Sequence, residues 1–222
     1  RSHDGSASPA LARVERREAD GPSLKDAVYA WLRRTPINAS SPDSDVDAAV
    51  VEHFIDEFLA NMAEGRDAWL ESRIATQALT DEDRGRLDAR YEREIGLARS
   101  YLRADEFDDP KQATDARRIR AAILFIESNR DLPLLSWPGE IIDGLIAAEQ
   151  ALLIFRQRHA RMVERVIGRR VGTGGSDGVD YLDRTALTYR VFKEVWAART
   201  LLMEPGRAPH VENEDYYGLR SS

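Results

Sequence analysis

Two histidines and one glycine-rich loop carry the groups best suited to chemistry. His159 falls in the longest helical segment, expected over about Glu140 to Arg170, where Leu145, Ala148, Leu152, Phe155, His159, Met162 and Val166 recur in steps of three and four and trace one seam. The pattern asks for Leu or Met at position 159, and an imidazole placed there needs a partner. That partner is either a hydrogen-bonded neighbour in a core or a ligand. Gly172-Thr173-Gly174-Gly175-Ser176-Asp177-Gly178 comes directly after this helix. Residues without Cβ let backbone N–H groups approach and cradle an anion, although a plain connector shares the same composition. A nucleotide P-loop is excluded, because the Gly-Lys-Ser/Thr ending is missing and the loop follows a helix, not a strand. The second histidine, His53, lies in Val50-Val51-Glu52-His53-Phe54-Ile55-Asp56-Glu57-Phe58-Leu59, one helical turn before Glu57.

From Phe155 the chain reads Phe-Arg-Gln-Arg-His-Ala-Arg-Met-Val-Glu-Arg-Val-Ile-Gly-Arg-Arg-Val-Gly-Thr-Gly-Gly-Ser-Asp-Gly-Val-Asp-Tyr-Leu, ending at Leu182. This run closely resembles the signature of the tryptophan 2,3-dioxygenases, in which the His binds heme iron and a GTGG(S/T)-x-G loop follows at a fixed distance. The resemblance implies an all-α helical bundle that holds heme b. It implies His159 as the axial iron ligand and Thr173 as the residue contacting the ammonium and carboxylate of a bound amino acid, with Gly174 and Gly175 in the same substrate loop. The chemistry agrees: neutral imidazole suits iron, and an apolar seam offers a porphyrin the dry slot its flat faces need. In the same family an early helix carries an apolar run, a His on the distal heme face and a Glu four residues on. His53 and Glu57 resemble that arrangement, which implies a catalytic His53. An imidazole there can take a proton from substrate near neutral pH.

Two features depart from the family pattern. Its substrate-clamping Arg lies in a run close to Arg-Ser-Gly-Phe-Gln-Ser-x-Gln-Phe/Tyr-Arg, which has no counterpart here, and the interval from His53 to His159 is much shorter. In these respects the chain resembles trimmed members of the superfamily, the heme-dependent L-tyrosine hydroxylases of bacterial antibiotic biosynthesis. That resemblance implies peroxygenase chemistry, conversion of L-tyrosine to 3,4-dihydroxyphenylalanine with hydrogen peroxide. Tryptophan oxygenation, as 2,3-cleavage with dioxygen or indole C2 hydroxylation, is the alternative, and a non-catalytic helical binding protein is the alternative of another class. The substrate carboxylate needs a cation, for which Arg130 in Ser128-Asn129-Arg130-Asp131, at a helix end, is the candidate. Asp177 either bonds the substrate ammonium or fixes the loop.

The elements that must position these groups are helical throughout, since alternating β-branched runs are nearly absent. A short helix is expected over Ser23 to Arg34 with Ser23 as N-cap, then a loop from Thr35 to Pro42. Asp43 or Ser44 is expected to cap a helix from about Val46 to Ala63 or on to Leu79. A charged helix from Thr80 to about Leu102 carries Leu87, Tyr91, Ile95 and Ala98 on one stripe. A further helix from about Asp115 to Ser128 presents Ile119, Ala122, Ile123 and Ile126. Breaks are expected beyond it, at Asp131-Leu132-Pro133 and at Trp137-Pro138-Gly139. A last helix spans about Tyr181 to Leu202, and a polar tail leaves His210 exposed.

The whole chain fits these parts. Its 222 residues suit one sizeable domain, expected over 22–222, after a polar segment, 1–21, expected to be disordered or foreign to the native protein, so that His3 carries no weight. Asp and Glu outnumber Lys and Arg by 39 to 32, for a net charge of −7, which argues against a nucleic-acid partner. The absence of cysteine removes disulfides, zinc fingers, iron–sulfur clusters and thiolate-ligated heme, leaving His, Tyr or Met to hold any heme iron. No stretch approaches the roughly 20 apolar residues of a membrane span and no secretory leader is evident, so a cytoplasmic location without membrane association is expected. The family resemblance implies a homo-oligomer, with a dimer favoured.

Overall fold

The computed structural model describes residues 21–76, 80–168, 190–204 and 206–218. Helices dominate, in the order α1 (Leu24–Arg33), α2 (Asp47–Thr76), α3 (Asp81–Arg103), α4 (Pro110–Ser128), α5 (Pro133–Ile167), α6 (Lys193–Arg199) and α7 (Glu214–Tyr217). The described residues contain no extended strand, so the all-α expectation holds. Among them no helix is long and apolar enough to cross a membrane. The chain divides into two compact units. One comprises residues 1–29 and 140–196, the other 30–139 and 197–222.

In the second unit α4 is the central element, and its composition explains why. Ala116 and every residue from Arg118 to Glu127 are buried, so apolar side chains face inward all round the helix instead of on the single stripe expected. Helix α4 packs on α2 and α3, and α2 on α3. Phe54, Ile55 and Phe58 of α2, Ile95, Ala98 and Leu102 of α3, and Ile123, Leu124, Phe125 and Ile126 of α4 form the core. The Phe54 and Phe125 rings meet edge to face at 5.7 Å. Burying α4 on all sides also buries polar groups, which must find partners. Arg120 donates to the Tyr101 carbonyl and to Glu106. Arg118 donates through Nη2 to the Thr35 carbonyl at 2.7 Å and pairs through Nε with Asp47 at 3.2 Å.

Several element ends differ from expectation. Helix α4 starts at Pro110, five residues early, because Asp109 accepts from the Lys111 N–H at 3.0 Å and proline is pre-set for the first helical turn. Helix α5 starts at Pro133 and continues through Pro138, where an interruption was expected. A proline early in a helix removes one backbone donor, and the turns beyond it still carry the helix. Ser44 does not cap α2: its buried Oγ has no hydrogen-bond partner. Ser23 does cap α1, accepting from the Asp26 N–H at 3.1 Å while Asp26 accepts from the Ser23 N–H at 3.2 Å. The short α7 was not anticipated. It brings Tyr217 into the core, where its hydroxyl donates to the Pro36 carbonyl and accepts from the Ala39 N–H, both at 2.9 Å.

In the first unit α5 is the spine. Glu149 on it accepts hydrogen bonds from the Val191 and Phe192 N–H groups and, at 2.6 Å, from the indole N–H of Trp196, with the Arg190 guanidinium 4.5 Å over that indole. This one carboxylate therefore satisfies two backbone donors just ahead of α6.

Candidate functional site

Helix α5 carries two apolar stripes one residue apart, and the structure turns the unexpected one inward. Ile142, Ile146 and Ala160 are buried, whereas Phe155, His159, Met162 and Val166, the lower part of the expected seam, are exposed. The correction has a physical source. Helical period reports that an apolar stripe exists, and with two on one helix it does not say which covers the protein's own core.

On this outward face His159 lies almost parallel to the Phe155 ring, centroids 6.1 Å apart and 20° between planes. Among the described residues neither ring nitrogen has a hydrogen-bond or ion-pair partner, which is unlike a histidine retained to satisfy a core. An unengaged imidazole beside three exposed apolar side chains suits a flat, hydrophobic, nitrogen-liganded group, and the residues present therefore fit heme. No group of three or more His, Asp or Glu side chains among the described residues competes as a site for a bare metal ion.

His53 lies in the other unit, half exposed on α2. Its Nε2 is 3.6 Å from Glu57 Oε1, so the expected pair is in reach, and 4.0 Å from Glu212 Oε1. Glu212 reaches this position because its backbone N–H donates to Asn38 Oδ1 at 3.3 Å and the neighbouring Asn213 side chain donates to the Asn38 carbonyl at 3.2 Å. Two carboxylates beside one imidazole give it partners for proton exchange. Glu212 was missed because only tertiary structure brings the polar tail to α2.

Arg130 follows α4 and sits 3.7 Å from Glu127, whose side chain is 2% exposed and also lies 3.6 Å from Arg199. Room for Arg130 exists because position 139 is glycine: a Cβ there would come within 2.6 Å of Arg130 Nε. His210 is exposed, as expected. Thr173, Gly174, Gly175 and Asp177 lie outside the described residues.

Comparison with known proteins supplies the context for these groups. The family model described as tryptophan 2,3-dioxygenase matches residues 6–202. A protein of Sorangium cellulosum named tryptophan 2,3-dioxygenase is 49% identical over 98% of this chain and 52% of its own length. A tryptophan 2,3-dioxygenase-like protein of Xanthomonas campestris is 46% identical over 97% of this chain and 77% of its own length. Tryptophan 2,3-dioxygenase 2 of Ralstonia nicotianae is 44% identical over 97% of this chain and 58% of its own length. The chain thus spans about half the length of some of the curated relatives it matches. Similarity runs through both histidine-bearing helices and covers far more than the signature alone. The chain belongs to the heme-dependent tryptophan 2,3-dioxygenase family.

Proposed function

We propose that this chain binds heme b through His159 and oxygenates an aromatic amino acid, with L-tryptophan and dioxygen as the favoured substrates. The observation that carries the reading is the His159 imidazole, without a polar partner among the described residues, on an exposed apolar face of α5, inside a chain that matches the family from residue 6 to residue 202. Heme, when bound, supplies oxygen activation. The chain's own residues do the rest. His159 offers one imidazole nitrogen as ligand, Phe155 stacks on that imidazole and limits its rotation, and the exposed Met162 and Val166 offer apolar surface that a bound porphyrin would cover.

His53 handles the substrate proton. Its imidazole accepts the proton from the ring N–H or O–H at Nε2, and Glu57 and Glu212 stabilise the resulting cation. By resemblance, Thr173 and the amides of Gly174 and Gly175 orient the amino acid's ammonium and carboxylate. Arg130 is the proposed carboxylate clamp, although Glu127 already lies beside it. Self-association, with a dimer favoured, belongs to the same reading and is checked by light scattering after gel filtration.

Tyrosine hydroxylation with peroxide is the second reading, favoured by the short interval between His53 and His159 and by the missing Arg-Ser-Gly-Phe-Gln-Ser run. Hemin-loaded chain incubated with L-tryptophan or L-tyrosine, each with reductant plus dioxygen or with peroxide, separates the two by product mass. Tryptophan carrying both atoms of dioxygen is the expected product. A catechol from tyrosine with no tryptophan product would replace the first reading by the second, and no oxygenated product from either amino acid would end both.

A further inference from the structure

One cleft of about 580 Å³ in the second unit is lined by Arg33, Arg34, Arg117, Arg118 and Ser44, with Asp43, Asp47, Glu52 and Asp115 on the same walls. None of these has a role in the proposed oxygenation. Arg33 Nε, Arg117 Nε, Arg118 Nε, Arg118 Nη1 and Ser44 Oγ are all buried and, among the described residues, without a hydrogen-bond partner. Arg118 is the most telling, since its side chain is only 8% exposed and the guanidinium spends Nη2 alone on a protein acceptor, the Thr35 carbonyl.

Carboxylates do stand nearby. Asp115 is 3.4 Å from Arg33 Nε, Glu52 is 3.3 Å from Arg117 Nε, and Asp47 is 3.2 Å from Arg118 Nε. These are charge contacts in which the N–H is not directed at the oxygen, so the donors stay unused. Two of these three carboxylates are also engaged elsewhere. Ser40 donates to Asp47 at 2.5 Å, and Arg103 donates to Glu52 at 2.5 Å. Burial pushes the Arg118 guanidinium below its ordinary pKa, which marks a cation that its neighbours do not fully compensate. The four residues that carry these buried donors all line this cleft, and an acceptor bound there would be a partner common to their guanidinium and hydroxyl groups.

We propose that this cleft binds a small oxyanion, a carboxylate or a phosphate, gripped by the guanidinium groups of Arg33, Arg117 and Arg118 and by the Ser44 hydroxyl, with exposed Arg34 at its mouth. Planar guanidinium forks match carboxylate and phosphate oxygens two at a time, which favours such groups over halide. The cleft is large enough for the oxyanion to be part of a metabolite-sized molecule. This inference is independent of the heme reading, because every residue it uses lies in the second unit and none is a proposed ligand of iron or substrate.

The test is a thermal-shift titration of the full hemin-loaded chain with inorganic phosphate and, separately, with citrate, each against sodium chloride of matched ionic strength. A ligand that binds only the folded state raises the midpoint saturably. We expect such a rise with at least one of the two anions, the responding anion identifying the class. Arg34→Gln and Ser44→Ala, which remove no side-chain hydrogen bond among the described residues, should each weaken that response roughly tenfold. Arg99→Gln, exposed on α3, should leave it unchanged. No response above chloride with either anion, or wild-type responses from both cleft variants, would overturn the proposal and leave water as the cleft's occupant. The Soret band recorded in the same samples reads heme retention separately, so failure of one inference does not mask the other.

Discussion

At the scale of single residues the central contrast is between two histidines. His159 has no polar partner among the described residues and stacks on Phe155, while His53 is flanked by Glu57 and Glu212. The first environment suits a ligand, the second a proton carrier. His53→Ala should therefore retain heme and lose turnover by about 10²-fold or more, measured as kcat on the hemin-loaded chain. Glu212→Gln should lower kcat less, since Glu57 still supports the imidazolium. Tyr217 gives a prediction for stability. Burial pushes its hydroxyl up to about 12 from an ordinary 10.0. The folded chain therefore favours the neutral phenol, so this contribution is intact below about pH 10 and is lost as pH rises from there towards 12. Tyr217→Phe should cost about 1–2 kcal/mol at neutral pH by leaving the Ala39 N–H and Pro36 carbonyl unpaired, and should flatten the alkaline limb of a urea-denaturation series. His159 was singled out by its signature run, and the His53–Glu57 proximity was legible from one helical turn of spacing. Glu212 and the arginine cleft were not, because both depend on chain segments far apart in sequence meeting in space.

At the scale of elements, α4 organises the second unit and its first turn is held by one side chain. Asp109→Ala should cost about 1 kcal/mol in denaturant unfolding. Phe125→Ala, which removes a ring touching both Phe54 and Tyr217, should cost about 3–5 kcal/mol. Helix α5 shows where sequence reading stops short. Its existence and length follow from its apolar period, but its register does not, because the Ile142, Ile146, Ala160 stripe and the Phe155, His159, Met162 stripe are both apolar. Pro138 likewise looks like a break until neighbouring turns are seen to carry the helix past it. Gly139 ties this helix to the proposed clamp, since a methyl group there must displace Arg130. Gly139→Ala should raise KM for the amino acid with little change in kcat if Arg130 holds the carboxylate. An unchanged KM would remove Arg130 from that role.

At the scale of the whole molecule, an acidic chain without cysteine carries an outward apolar face on one unit and a polar histidine site on the other. All-α architecture and family membership were both readable from periodicity and from one ungapped run, because helices are local and the signature is contiguous. The division into two compact units was not readable, since α1, α5 and α6 each continue from one into the other without a change in composition. The central proposal is a bond from the His159 imidazole to heme iron. The absorbance spectrum of the purified chain titrated with hemin tests it most directly, read beside His159→Ala and His53→Ala. A Soret band saturating at one hemin per chain is expected for the wild type and for His53→Ala, and loose or absent binding for His159→Ala. Stoichiometric hemin binding by His159→Ala with an unaltered spectrum would contradict it.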